Sequence, residues 1–178
     1  KNEEQWIEQC LNKIHKQNYD NYEIIIVDNK SKDTTLNKIS KFKVKLVKIN
    51  KFFPGDAINR GIKKSMGEII VCLSAHCIPE SDDWLKKLVR NFKDKKVAGV
   101  YGRQLPLSYS TDFDKRDLYT FFGIEKRIQK KDSFFHNANS AIRKSLWKKI
   151  PFDNKVEHIE DRIWAHKILK KGFKIIYE

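Results

Sequence analysis

The sequence is poor in the residues that staple, punctuate or span. In 178 residues there are three cysteines, four prolines, seven glycines and one methionine. Cys10, Cys72 and Cys77 are too few and too unevenly spaced for a disulfide framework or a CxxC metal knuckle, so free thiols in a reducing compartment are expected. So little Pro and Gly excludes a collagen-like fibre and a low-complexity linker. No apolar run approaches the roughly 18 residues of a membrane span, and mean hydropathy is −0.65. The opening KNEEQWIEQC is polar with helical periodicity, not a secretory leader. The chain begins inside that pattern without Met and ends on the apolar run KIIYE, so a portion of a longer protein is expected.

What is present suits a packed domain. Hydrophobic residues make up 40% and aromatics 12%. A chain of this size buries roughly 70% of its unfolded surface, and such a composition offsets the ordering entropy that keeps polar chains disordered. Lys and Arg number 37 against 23 Asp and Glu, a net charge of +14. That favours an anionic partner such as a phosphate, a nucleotide or an acidic membrane surface. The lysines are spread evenly, however, as on an ordinary solvated surface, and do not cluster with aromatics as on a nucleic-acid module.

Hydrophobic spacing lays out alternating elements. Residues 3–16 carry Trp6, Ile7, Cys10, Leu11 and Ile14 on one helical face. YEIIIV (22–27) is a short continuous apolar run, predicted as a strand buried on both faces. Helix follows over 33–40 and an alternating strand over 44–49. Pro54 opens a helix that Gly67 closes, and EIIVCL (68–73) is a second buried strand. Ser81-Asp82-Asp83 cap a helix near 83–92, and 97–101 is a strand. Residues 105–132 read as a loop and then a charged, aromatic, helix-like segment. A short strand fits within 134–142, a helical turn at 145–149, a helix at 159–171 and a last strand at 173–177. Helices alternating with strands predict an α/β layer fold with a mainly parallel sheet, whose ligands bind beyond the strands' carboxyl ends.

The polar motifs fall at those ends. Asp28 follows YEIIIV directly, where it can accept from a ligand or cap the next turn with Ser31. Asn59 and Arg60 lie in the helix that Pro54 opens, whose first turn suits phosphate, or simply packs on the sheet. Ser74-Ala75-His76-Cys77 follows EIIVCL, where His76 can ligate a metal or serve a structural role. Glu160 and Asp161, with His158 beside them, either favour the dipole of a helix start or form a general base. Trp84, Trp147 and Trp164 are core or groove aromatics, and the sequon Asn29-Lys30-Ser31 is a chance match.

In order, EIIIVDNKSKDTT, PGDAINRGIKKSMGEIIVCLSAHCIPESDDWL, NANSAIRKSLWKKIPFD and EDRIWAHKILKKGFKIIYE resemble the family 2 glycosyltransferases, which have the GT-A fold. The likeness spans residues 2–178. It implies a Rossmann-like, mainly parallel central sheet flanked by helices, with the family's first strand lying before Lys1 and absent here. It implies one domain over 1–178, with a nucleotide-sugar-binding half at 1–104 and an acceptor-side half at 105–178. By position, Asp28 would contact the nucleotide base, and Asn59 and Arg60 would line the nucleotide site. Asp161, with Glu160, would be the catalytic base of an inverting transfer. Asn139, Arg143 and His158 would belong to the sugar and acceptor region. The family's Asp-x-Asp metal motif is changed here to Ser74-Ala75-His76.

Three readings of that change stay open: a divalent metal site using His76 (Mn²⁺ or Mg²⁺), metal-independent transfer, and a catalytically dead relative that only binds. The expected partners are a nucleotide-sugar donor and a saccharide or lipid-linked acceptor, in cell-surface polysaccharide or glycoconjugate synthesis. The expected location is the cytoplasm, with peripheral contact at the inner, anionic membrane face. A nucleic-acid-binding domain is the weaker alternative.

Overall fold

The computed structural model describes residues 1–108 and 110–178; Tyr109, within the predicted 105–132 segment, lies outside them. Seven helices, α1 (Ile7–His15), α2 (Thr35–Ile39), α3 (Pro54–Lys64), α4 (Trp84–Arg90), α5 (Asp112–Phe121), α6 (Lys144–Lys149) and α7 (Glu160–Leu169), are described. Seven strands accompany them: β1 (Ile25–Asp28), β2 (Lys45–Lys48), β3 (Ile69–Leu73), β4 (Val97–Tyr101), β5 (Arg127–Gln129), β6 (Asn139–Arg143) and β7 (Lys174–Tyr177). The strands form a two-stranded sheet, β1-β2, and a five-stranded sheet, β3-β6-β4-β7-β5.

The alternation of helix and strand read from the first half of the sequence is present from α1 to β4. β1 runs parallel to β2 and β4 parallel to β7. β6 is inserted antiparallel between β3 and β4, so those two run in one direction, and β5 closes the far edge antiparallel to β7. β5 is an addition to the sequence expectation: three residues, two of them exposed, carry too little pattern to be seen. β1 and β3 were expected to be buried on both faces, yet most of their residues are only half-buried. Each has a single partner strand, so each is an edge.

The central strand is β4, whose five residues are all buried. Its register against β7 shifts between Val97 and Gly99. The shift lets Val97 and Val100 join one apolar cluster with Leu88 and Phe92, while Ala98 and Tyr101 join the larger one with Trp147, Phe152 and Trp164. Gly99 suits the close packing there: a Cβ would stand 3.0 Å from the Phe135 ring and 3.2 Å from Trp164, so a ring would have to give by a few tenths of an ångström.

α3 is locked to the chain after α6 by one buried amide. Asn59 Nδ2 donates to the Phe152 carbonyl (2.8 Å) and Asn154 Oδ1 (2.6 Å). Its Oδ1 accepts from Trp147 Nε1 (2.6 Å) and Phe152 N–H (3.2 Å). Gly55 lets the same helix approach, since a Cβ there would lie 1.9 Å from the Asp153 carbonyl oxygen. Losing one partner of a buried hydrogen bond costs about 1–3 kcal/mol. Asn59→Ala is expected to lower unfolding free energy by about 2–3 kcal/mol in denaturant titration, because several groups lose their partner together. Arg60→Ala, which removes an exposed ion pair with Asp56, should stay within about 0.5 kcal/mol of wild type.

Candidate active site

The carboxyl ends of β1 and β3, the turn before β6 and the first turn of α7 meet along one edge of the molecule. The link from β3 to β6 is direct: the Ser74 N–H donates to the Ala138 carbonyl (3.0 Å). The turn before β6 is bolted to α7. Asn137 N–H donates to Asp161 Oδ2 (3.1 Å), and Asn137 Nδ2 donates to Glu160 Oε1 (3.1 Å). Ser140 Oγ completes the network by donating to Asn137 Oδ1 (3.1 Å). Asp161 Oδ1 accepts from the Arg162 N–H (2.7 Å).

The two carboxylates differ in setting. Glu160 is buried, and burial holds its carboxyl above the ordinary value of 4.5 against the lowering effect of Asn137. Asp161 is half-buried beside it. The residue that feeds this turn, Ile159, has φ 60° and ψ 16°. A β-branched side chain in the left-handed region is strained by about 1–3 kcal/mol, and strain of this kind gathers at functional sites.

His136 was not singled out from the sequence, where it lay inside the apolar string FFHNANSAI with no spacing to mark it. Its Nδ1 lies 3.0 Å from Gln104 Nε2 and 3.4 Å from the Ala138 N–H. Its ring stands edge-on to Phe122 at 6.0 Å. Burial is the main cause that lowers its pKa below 6.5; the nearby Asp161 opposes the shift and Arg162 adds to it.

Asp28 is buried at the end of β1 and accepts from Ser31 N–H (3.0 Å) and the Ser31 hydroxyl. It therefore shapes the turn after β1, while α2 has Thr34 at its N-cap without a side-chain capping bond, its hydroxyl donating instead to Glu4 Oε2 (2.7 Å). The turn in turn holds the N-terminal segment: Asn2 N–H donates to Ser31 Oγ (2.9 Å) and Glu3 N–H to Thr35 Oγ1 (2.8 Å). From that segment, Glu3 Oε2 reaches to 3.5 Å from His76 Nδ1. Asp28, His76 and the Glu160–Asp161 pair are thus joined by one continuous run of contacts. A cavity of about 330 Å³ adjoins β1, lined by Lys48, Ile49, Asn50, Lys51, Phe53, Asp56 and Arg60.

Two predicted site residues work elsewhere. The Asn59 amide is spent on Trp147, Phe152 and Asn154, so it positions α3 and has no free atom for a nucleotide. Arg143 pairs with Ile69, at the opposite end of β3 from Leu73. It donates to the Val97, Phe92 and Asp94 carbonyls, so it stitches the sheet's far edge and is no part of an acceptor site. Asn139 lies at the correct end, but its amide is also engaged, accepting from Trp84 Nε1 (2.9 Å) and donating to the Arg103 carbonyl (3.2 Å). His158 is exposed just before α7. Among the described residues no group of three or more His, Cys, Asp or Glu could hold a metal ion. His76 and Glu3 supply two donors, fewer than a metal site built by the chain alone requires. All three cysteines are free, and burial raises their thiols to about 11 or 12.

The layering agrees with solved structures. A mannosyltransferase from Pyrobaculum calidifontis, solved with GDP-Man and Mn²⁺, superposes at TM-score 0.76 with 22% identity, over 98% of this chain and 53% of that one. The fold is therefore that of the GT-A glycosyltransferases. The family model for glycosyl transferase family 2 matches residues 1–150, and the chain belongs to that family. A Methanococcus voltae relative is 29% identical over 98% of this chain and 60% of its own length. It is a dolichyl N-acetyl-alpha-D-glucosaminyl phosphate 3-beta-D-2,3-diacetamido-2,3-dideoxy-beta-D-glucuronosyltransferase. The O-antigen chain rhamnosyltransferase WbaN of Salmonella anatum is 27% identical over 87% of this chain and 53% of its own. The chain thus spans 60% or less of these curated relatives.

Two expectations follow from the site. A group that the folded state holds neutral below its ordinary pKa binds fewer protons there than in the unfolded chain, so stability is lost on acidification. Wild type should therefore lose unfolding free energy more steeply below pH 6.5 than His136→Gln, measured by denaturant midpoints across pH. Ile159→Gly removes the left-handed strain of an exposed side chain and should raise unfolding free energy by about 1 kcal/mol at neutral pH.

Proposed function

We propose that this domain transfers a sugar from a nucleotide-sugar donor to an acceptor hydroxyl with inversion, in polysaccharide or glycoconjugate synthesis. The observation that carries the reading is the half-buried Asp161 carboxylate, held by the Asn137 N–H at 3.1 Å at the edge where α/β sheets bind ligands. Family membership and the activities named for the relatives supply the reaction class. Asp161 takes the proton of the acceptor hydroxyl. The hydroxyl oxygen then bonds to the anomeric carbon, and the bond to the diphosphate breaks with its electron pair leaving on the nucleoside diphosphate. Glu160, buried against Asn137, positions the turn.

The donor's nucleotide is assigned to the other end of the same edge. Asp28 marks the base contact, and Arg60 with Lys48 and Lys51 lines the adjoining basic cavity, where phosphate charge would be favoured. His76 faces the diphosphate between the two ends. It and Glu3 offer a divalent ion only two donors, so the diphosphate oxygens would have to supply others. The two-half organisation, 1–104 for donor and 105–178 for acceptor, belongs to this reading. No helix among the described residues is long and apolar enough to cross a membrane. Contact with an anionic bilayer would rest on the +14 charge.

Calorimetric titration of UDP, GDP and dTDP into the full-length protein, each with Mn²⁺ and with EDTA, tests the donor site. Micromolar binding of one nucleotide is expected, weakened by EDTA if His76 helps to hold a metal. Binding indifferent to EDTA removes His76 from the metal role, and no binding by any of the three overturns the donor assignment. Asp161→Asn should keep nucleotide affinity within about twofold and lose transfer by 10³-fold or more, as expected for a general base removed together with its unit. Retained transfer in that variant refutes the assignment of the base.

A further inference from the structure

We propose that His136 is a further substrate-contacting residue, whose neutral imidazole donates Nε2–H to an acceptor-sugar hydroxyl neighbouring the one that reacts at Asp161. The inference rests on the transfer reading above and goes one residue beyond it.

The hydrogen-bond pattern around the ring sets the tautomer. The Ala138 N–H can only donate, and it points at Nδ1 (3.4 Å). The Gln104 amide nitrogen meets the same atom at 3.0 Å. Nδ1 is therefore the acceptor, and in a neutral imidazole the proton must then sit on Nε2. Among the described residues Nε2 meets no partner, and the ring is half-buried. Among the described residues the only buried side-chain atom left unpaired is Gln129 Oε1, so Nε2–H opens to the surface, where a ligand oxygen can take the place of water.

Its neighbours place the ring on the turn that holds Asp161. His136 immediately precedes Asn137, whose N–H holds Asp161 Oδ2, so ring and carboxylate belong to one rigid turn. Phe122, which follows α5, stands edge-on to the ring, and Gln104 comes from the loop after β4. The charged groups felt by the ring are Asp161 and Arg162, both on α7 and opposite in sign. Burial keeps the imidazole neutral, a donor through Nε2 without the charge that would pair with Asp161 and weaken it as a base. An acceptor carboxylate and an Nε2–H donor carried by the same turn would suit two neighbouring hydroxyls of a sugar. One hydroxyl gives its proton to Asp161 and the other receives a hydrogen bond that orients the ring. His136 forms no bond to the reacting atoms, and no proton passes through it.

The test uses the full-length protein with the nucleotide sugar and acceptor it turns over. His136→Phe keeps a flat ring and removes the donor, whereas His136→Gln keeps a donor of similar reach. The Phe variant should retain nucleotide affinity within about twofold and lose about 10-fold in kcat/KM, mostly through the acceptor KM. The Gln variant should recover to within about threefold. Equal activity of the Phe variant, in a protein whose Asp161→Asn form is dead, overturns the inference and leaves the transfer reading standing. Full activity of Asp161→Asn, or no turnover of any nucleotide sugar, fails the transfer reading and the inference with it. Long-range ¹H–¹⁵N NMR of the histidine ring gives a readout independent of turnover. The Nε2–H tautomer at neutral pH is expected, and an Nδ1–H tautomer overturns the proposal.

Discussion

The edge that carries the site depends on what Asn137 does. One residue supplies three connections: its N–H holds Asp161, its amide nitrogen holds Glu160, and its amide oxygen receives Ser140. These bonds tie the loop before β6 to the start of α7, two segments more than twenty residues apart. Both flank the end of β3, because the Ser74 N–H reaches the same loop at Ala138. Without Asn137, Glu160 would be a buried carboxylate with no side-chain donor, and its desolvation would be uncompensated. The bond to Asp161 comes from the backbone N–H at this position and depends on the turn that the side chain holds in place. Positioning a carboxylate in advance of its substrate is what makes proximity effective in catalysis.

The same edge carries a local cost. Ile159 is held left-handed so that two consecutive acidic residues begin α7 with both side chains turned to Asn137. Glu160 is buried, and that burial holds its carboxyl above its ordinary value, whereas Asp161 is only half-buried. Neighbouring carboxylates in different settings divide their roles in this way. The net charge of +14 would favour an anionic ligand at this edge from a distance.

The fold was legible because its signals are local. Continuous apolar runs gave β1 and β3, helical spacing gave α1, and Pro54 gave the start of α3. Candidate site residues could be named from the sequence only where an acidic or basic residue stood at the end of a strand or the start of a helix, as with Asp28, His76, Glu160 and Asp161. What sequence could not show was which polar side chains the protein spends on itself. Asn59 and Arg143 sit in motifs of the right kind, yet burial closes one on Trp147 and Phe152, and antiparallel pairing carries the other to the far end of β6. Strand direction is a non-local property, and five residues of antiparallel β6 span about 14 Å, enough to move Arg143 off the site. His136 was missed for the converse reason: its partners, Gln104 and Phe122, come from distant segments and leave no spacing in the chain.

Adjacent residues on α3 show how a buried polar group serves an exposed one. Successive helical side chains point about 100° apart, so Asn59 and Arg60 cannot face the same surroundings. Asn59 turns inward and is closed by the chain between Trp147 and Asn154, with Gly55 allowing the backbones to meet. Arg60 then faces the basic cavity by β1, where Asp56 one turn earlier holds its guanidinium at 2.7 Å. The exposed ion pair adds little stability by itself. Its placement is set by the amide beneath it, so the orientation of α3, and with it the shape of the cavity, rests on Asn59 although that residue has no atom free to touch a ligand.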